Sequence, residues 1–126
     1  METRYNILFV CMGNICRSPA SENIFRQVVE EAGLSDRIHC DSAGTIGIHS
    51  GNKPDTRMSK TIRRRGYEVT GHARQFSLRD FDISNLILTM DNENYQNIFK
   101  LADTEEKQAQ VQRFTDFCLQ HNHHDV

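Results

Sequence analysis

Short apolar runs alternating with helical patterns predict an α/β domain: a four-stranded parallel sheet with helices on both faces. Three observations predict it. Tyr5 to Val10 (Tyr-Asn-Ile-Leu-Phe-Val) is an apolar, β-branched and aromatic run of buried-strand length, followed within a few residues by an amphipathic helix. Leu86 to Met90 (Leu-Ile-Leu-Thr-Met) is a second such run, and Asp91 behind it is a good helix cap. A length of 126 residues, with no internal repeat, linker or low-complexity tract, suits one domain with a real core.

The remaining elements follow in order. Ser18 is read as an N-cap with Pro19 in the first turn of the first helix. Ala20, Ile24, Val28 and Ala32 then recur every fourth residue, Phe25 and Val29 widen the stripe, and Gly33 stops it. Arg37 to Asp41 suggests a second strand, and a glycine-rich loop follows from Gly44 to Gly51. Pro54 opens a helix whose Met58 and Ile62 share a face and which Gly66 closes. Ser77 with Asp80 resembles a capping box for a short helix. The helix after Asp91 carries Tyr95, Ile98 and Phe99, and Val111 to Thr115 is a weaker fourth strand. Ligands of such sheets bind beyond the C-terminal ends of the strands, and Cys11 stands at such an end.

Charge and cysteine usage narrow the function classes. The net charge is −2 and the basic residues are scattered, which counts against a nucleic-acid partner. The densest basic run, Arg63-Arg64-Arg65, is either a helix C-terminus favouring cations or a contact surface for an acidic partner. No apolar run approaches membrane-spanning length, and the N-terminus lacks the pattern of a secretory signal. The expectation is a cytoplasmic protein with no membrane partner. There Cys11, Cys16, Cys40 and Cys118 would be thiols, and their spacing is not that of a structural zinc site. His121, His123, His124 and Asp125 are read as a tail rather than a metal centre, so no metal and no cofactor is expected.

Residues 11–18 carry the chemistry: Cys11-Met12-Gly13-Asn14-Ile15-Cys16-Arg17-Ser18, a Cys-x5-Arg-Ser pattern. Five intervening residues let the backbone of Met12 to Cys16 curl so that its amides point inward, a nest for an anion at a helix N-terminus. Gly13 is expected to supply the unusual angles of that curl. Arg17 can grip two phosphate oxygens in a fork. The same field favours a thiolate at Cys11, which could attack phosphorus in line and form a phosphocysteine. Ser18 could donate a hydrogen bond to that sulfur. The alternative is a buried core cysteine with a surface arginine.

Val10 to Pro19 (Val-Cys-Met-Gly-Asn-Ile-Cys-Arg-Ser-Pro) closely resembles the signature of low-molecular-weight protein tyrosine phosphatases. The similarity continues through Asp41-Ser42-Ala43-Gly44-Thr45, Pro54-Asp55 with Arg57, His72-Ala73-Arg74-Gln75, Met90-Asp91 and Asp116-Phe117-Cys118. The resemblance implies a phosphotyrosine phosphatase I-like sheet with strand order 2-1-3-4. It implies Cys11 as nucleophile, Arg17 as the phosphate-binding and transition-state-stabilising residue, and Met12, Gly13, Asn14, Ile15 and Cys16 as the rest of the phosphate loop. Asn14, Ser18, Ser42 and His72 match a hydrogen-bond network that holds the loop in shape; taken alone, His72 is better read as a solvated loop residue, and only the resemblance reverses that. Cys16 matches a cysteine that traps the oxidised nucleophile as a reversible disulfide, where by itself it would be a packed, inert thiol. Relatives acting on phosphoarginine carry threonine at the position of Ile15, so isoleucine favours phosphotyrosine. Related arsenate reductases relay a disulfide through further cysteines, and none lies between Cys40 and Cys118. The cleft wall, often aromatic in the family, is Ile48-His49 here.

The family's general acid is an aspartate in an Asp-Pro-Tyr-Tyr loop soon after the fourth strand, followed by a long helix. Residues 1–126 are read as a single phosphatase domain without that loop and helix, and neither Asp116 nor Asp125 matches the acid's position. The expected consequences are an uncovered sheet face and slower departure of poor leaving groups. The function implied is hydrolysis of phosphate monoesters, with a phosphotyrosine-containing protein or a small aryl phosphate as partner. The alternatives are an acid-less phosphate or phosphotyrosine binder and a redox switch of Cys11 with Cys16.

Overall fold

The computed structural model describes residues 4–117 and 126. Cys118 and the cluster His121, His123, His124 and Asp125 lie outside the described residues. Four parallel strands, β1 (Tyr5–Cys11), β2 (Ile38–Gly44), β3 (Leu86–Thr89) and β4 (Val111–Arg113), form one sheet in the order β2-β1-β3-β4. The helices are α1 (Arg17–Glu31), α2 (Thr56–Arg64), α3 (Arg79–Ile83), α4 (Asn92–Phe99) and α5 (Glu105–Gln110), with a 3₁₀ turn at Phe114–Phe117. No helix among the described residues is long and apolar enough to cross a membrane.

The alternation of β1 divides the core in two. Leu8 and Val10 point to one face, where Phe76, Phe81, Ile87, Ile98 and Val111 join them. Phe9 and Cys11 point to the other, with Cys40, Leu88, Met90 and the ring of Phe25 from α1. Edge-to-face contacts of Phe9 with Phe25 and Phe114, at 5.7 and 5.6 Å between centroids, seat α1 and the 3₁₀ turn on this second face.

Several elements differ from the sequence expectation. The second strand runs on to Gly44, because pairing with all seven residues of β1 outweighs the weak strand propensity of Asp41, Ser42 and Gly44. Helix α5 was not expected, although Thr104 caps it by accepting from the Lys107 amide. Asp55 rather than Pro54 starts α2, accepting from the Met58 amide at 3.0 Å. At Ser77–Asp80 only half of the capping box forms: the Asp80 carboxylate accepts from the Ser77 amide, and Ser77 returns no side-chain cap.

Helix α1 turns only Phe25 and Val29 of its apolar stripe toward the core. The buried face is Ser18, Pro19, Glu22, Asn23 and Val29, whereas Val28 is 49% exposed and Ala32 is exposed. Ala20, Ile24 and Val28, with Phe25 and Phe114, line an apolar groove of about 370 Å³. The polar face is buried because it is hydrogen-bonded into the site.

Candidate active site

The site begins where β1 ends. Cys11 is the last residue of an interior strand and is buried, and α1 begins at Arg17. The intervening loop is held from three sides. The amides of Thr45 and Ile46, just past β2, donate to the carbonyls of Cys11 and Met12 at 2.9 and 3.0 Å. The Asp55 amide donates to the Ile15 carbonyl at 2.6 Å. Gly44 admits the closest approach: a Cβ there would stand 2.6 Å from the Met12 carbonyl oxygen.

Asn14 is the knot of the loop. It, not Gly13 as the sequence suggested, takes the left-handed conformation, with φ 58°. Asparagine tolerates that region better than most residues, and its buried amide is fully used. Nδ2 donates to Ser18 Oγ at 2.8 Å and to Ser42 Oγ at 2.9 Å, and Oδ1 accepts from the Arg74 amide at 2.9 Å. Gly13 is needed for space: a Cβ on it would lie 2.9 Å from Cδ2 of His49.

The sulfur of Cys11 has two hydrogen-bonding neighbours. The Asn14 amide donates to it at 3.2 Å, and Ser18 Oγ lies 3.0 Å away. Ser18 Oγ already accepts from Asn14 Nδ2, so its own proton is free to go elsewhere. The sulfur is nearer than the other acceptor, the Ala43 carbonyl at 3.5 Å. With Cys11 ionised, the sulfur is the nearest acceptor for the hydroxyl proton. Ser18 is not the N-cap of α1: that residue is Cys16, which gives no side-chain cap, and Ser18 is the second residue of the helix.

Arg17 is positioned from outside the loop. Its Nη1 donates to Asp91 Oδ2 at 2.7 Å and to the Val126 carbonyl at 3.3 Å. The other oxygen of Asp91, Oδ1, accepts from the Asn94 amide at 2.7 Å and caps α4. The sequence identified the cap and missed the second task.

Behind the loop the network continues through a residue the sequence reading passed over. Ser42 Oγ donates to Glu22 Oε1 at 2.5 Å, and the other carboxylate oxygen of Glu22 pairs with Arg26. Arg26 also donates to Asn23 Oδ1 at 3.0 Å. Burial opposes the charge on Arg26, but its hydrogen bond to Glu22 and the nearby carboxylates outweigh that and raise its pKa. Ser18, Glu22 and Arg26 recur at intervals of four, a polar row that was legible once the apolar stripe was not assumed to face inward.

His72 stands apart from this network. It is exposed and lines a groove with Lys53 and Arg63, and its segment reaches the loop through the backbone of Arg74 instead. The Arg74 side chain clamps Asp80 through both oxygens, at 2.9 and 3.1 Å, and Asp41 at 3.0 Å. Met12 and Cys16 are exposed; Gly13 and Ile15 are half-buried. Burial, then Asp55 and Cys11, raise the pKa of the Cys16 thiol against a smaller opposing pull from Arg17. Cys16 therefore keeps its proton. Among the described residues no group of His, Cys, Asp and Glu gathers as a metal site.

This is a sulfur with two donors aimed at it, at the end of a strand, the start of a helix and beside a braced arginine. Such a set suits a nucleophilic thiolate and an anion with several oxygens. The chain as a whole is similar to known proteins. The model of the low molecular weight phosphotyrosine protein phosphatase family matches residues 6–126. A Synechocystis relative named for low molecular weight protein-tyrosine-phosphatase is 48% identical over 88% of this chain and 71% of its own. The crystal structure of YfkJ from Bacillus subtilis superposes with a TM-score of 0.93 at 38% identity, over 98% of this chain and 78% of that one. A protein tyrosine phosphatase from Entamoeba histolytica, with Hepes in its active site, gives 0.92 at 36%, over 96% and 77%. With family match, relatives and architecture in agreement, the chain belongs to the low molecular weight phosphotyrosine protein phosphatase family.

Proposed function

We infer that this chain hydrolyses aryl phosphate monoesters, phosphotyrosine above all, through a phosphocysteine on Cys11. The observation that carries this reading is the Ser18 hydroxyl 3.0 Å from the Cys11 sulfur, held there by the hydrogen bond it accepts from Asn14 Nδ2. The sulfur attacks phosphorus in line as the bond to the aryl oxygen breaks, and the phenolate leaves with its electron pair. Water then attacks phosphorus and the sulfur departs. The loop amides and Arg17 stabilise the equatorial oxygens in both steps, and the Ser18 proton stabilises sulfur as attacking and as leaving group. Met12 to Cys16 line the cradle, Asn14 and Ser42 keep its shape, and His72 belongs to the segment behind it. Ile15 favours phosphotyrosine over phosphoarginine. The reaction requires no cofactor, and the expected setting is the cytoplasm.

The test is p-nitrophenyl phosphate, whose leaving group needs little help from a general acid. The expected result is a burst of nitrophenolate that disappears in Cys11→Ser. A folded protein giving no burst overturns the reading and leaves the phosphate-binding alternative.

A redox reading has one observation in its favour: Cys16 is exposed and lies on the same loop as Cys11. Peroxide oxidises the Cys11 thiolate to a sulfenic acid; attack by Cys16 then forms the disulfide and releases water. Disulfide mapping after peroxide treatment should yield a Cys11–Cys16 peptide, and its absence removes this reading.

A further inference from the structure

The hydrogen bonds that lead to the Cys11 sulfur have a direction, and two groups outside the loop set it. At one end the Arg74 amide, which can only donate, faces Asn14 and fixes its Oδ1 there at 2.9 Å. Asn14 Nδ2 must then face the serines, giving one proton to Ser18 and the other to Ser42. At the other end Ser42 meets the carboxylate of Glu22, a side chain only 9% exposed. Its Oε2 is taken by Arg26, which likewise only donates. A carboxylate only accepts, so Ser42 gives its proton to Oε1 at 2.5 Å and keeps its lone pairs for Asn14.

The two serines between these ends have no polarity of their own, because a hydroxyl can point its proton either way. Without an acceptor behind it, Ser42 is free to turn its proton back toward Asn14, and Nδ2 then loses one of the two bonds that hold it against Ser18. Burying a carboxylate is costly, yet Glu22 is among the most deeply buried charged residues of α1 and touches neither the sulfur nor the loop backbone. Ser18, Glu22 and Arg26 stand four residues apart on that one helix, so they share a face. The element that carries the hydroxyl beside the sulfur therefore also carries the pair that orients it.

We propose that Glu22, held by Arg26, is a positioning residue for catalysis: it directs the hydrogen bonds from Ser42 through Asn14 to Ser18 and so presents the Ser18 hydroxyl to the Cys11 sulfur. This deepens the phosphatase reading and rests on it for what the sulfur does. The effect falls on the chemical step, because the loop amides and Arg17 grip the phosphate without help from Glu22.

The experiment is the burst of p-nitrophenyl phosphate hydrolysis in Glu22→Gln, with the inhibition constant of inorganic phosphate measured beside it. Glutamine has the same shape, but Arg26 claims its oxygen and leaves the NH2 group facing Ser42, in competition with Asn14. The burst rate should fall about five- to tenfold, while phosphate affinity changes by less than about twofold. A loosened loop would weaken both together. The same substitution should cost nothing further in Ser42→Ala, which has already lost the hydroxyl through which Glu22 acts. An unchanged burst rate, a parallel loss of phosphate affinity, or full additivity with Ser42→Ala overturns the proposal. A readout independent of turnover is the side-chain amide of Asn14 in a nitrogen–proton correlation spectrum. Its protons should exchange with solvent slowly in the wild type and about tenfold faster in Glu22→Gln. No burst in the wild type would sink the phosphatase reading, and the Asn14 exchange rates then decide the positioning role alone: equal rates overturn it.

Discussion

Asp91 holds Arg17 with one carboxylate oxygen and caps helix α4 with the other. The guanidinium is thereby fixed from an element 74 residues away in sequence, so its position depends on the β3–α4 junction. An arginine orientated before its anion arrives loses less rotamer freedom when it binds.

Two substitutions should separate these tasks. Asp91→Asn keeps a good cap and loses the charge, so kcat/KM for p-nitrophenyl phosphate should fall about tenfold with little change in melting temperature. Asp91→Ala should show the same kinetic loss plus a cost of about 1 kcal/mol in stability. Equal kinetics for wild type and Asp91→Asn would remove the bracing role.

Ser18→Ala takes away the hydroxyl aimed at sulfur and leaves one Asn14 amide proton without its acceptor. The burst rate with p-nitrophenyl phosphate should drop about 10²-fold. Ser18→Thr keeps a donor but adds a methyl group in a fully buried place, and should restore only part of that loss.

Gly13→Ala brings a Cβ within 2.9 Å of the His49 ring. The loop or the imidazole must shift, and turnover should fall roughly tenfold. His49→Ala in the same chain should recover most of it, a non-additive pair. Gly44→Ala clashes with the Met12 carbonyl, which is backbone, so no side-chain change should rescue it.

Burial pushes the Cys40 thiol up to about 11, from an ordinary value near 9. Between those values the unfolded chain loses this proton and the folded chain keeps it. Stability from Cys40 is thus intact below about pH 9 and is lost as the pH rises toward 11. The loss should be roughly 2 to 3 kcal/mol once the pH passes 11. Urea midpoints at pH 8 and pH 10.5 should converge more in Cys40→Ala than in the wild type.

The strands, most of the helices and the loop were legible because they rest on local signals: apolar runs of strand length, a cap at Asp91, and a cysteine and arginine at fixed spacing. What escaped were residues whose partners are distant in sequence. Nothing near Glu22 announces Ser42, and nothing near Asp91 announces Arg17. The orientation of α1 misled for the same reason: its apolar stripe is real, but Ser18, Glu22 and Asn23 find partners inside, so the polar face is buried. Gly13 drew attention as the flexible residue, whereas the left-handed turn fell on Asn14, which earns its place through partners on Ser42 and Arg74.

Asn14 also links the loop to the rest of the molecule, since its one side chain touches α1, the edge strand β2 and the segment before α3. A ligand that tightens the loop therefore tightens all three at once. Bound anion and folded chain become thermodynamically linked, by RT ln(1 + [L]/Kd). Inorganic phosphate at 100 times its dissociation constant would add about 2.7 kcal/mol. Phosphate in the buffer then sets the apparent robustness of the whole domain, and amides of β2, an edge strand outside the phosphate loop, should exchange more slowly with solvent deuterium when it is present.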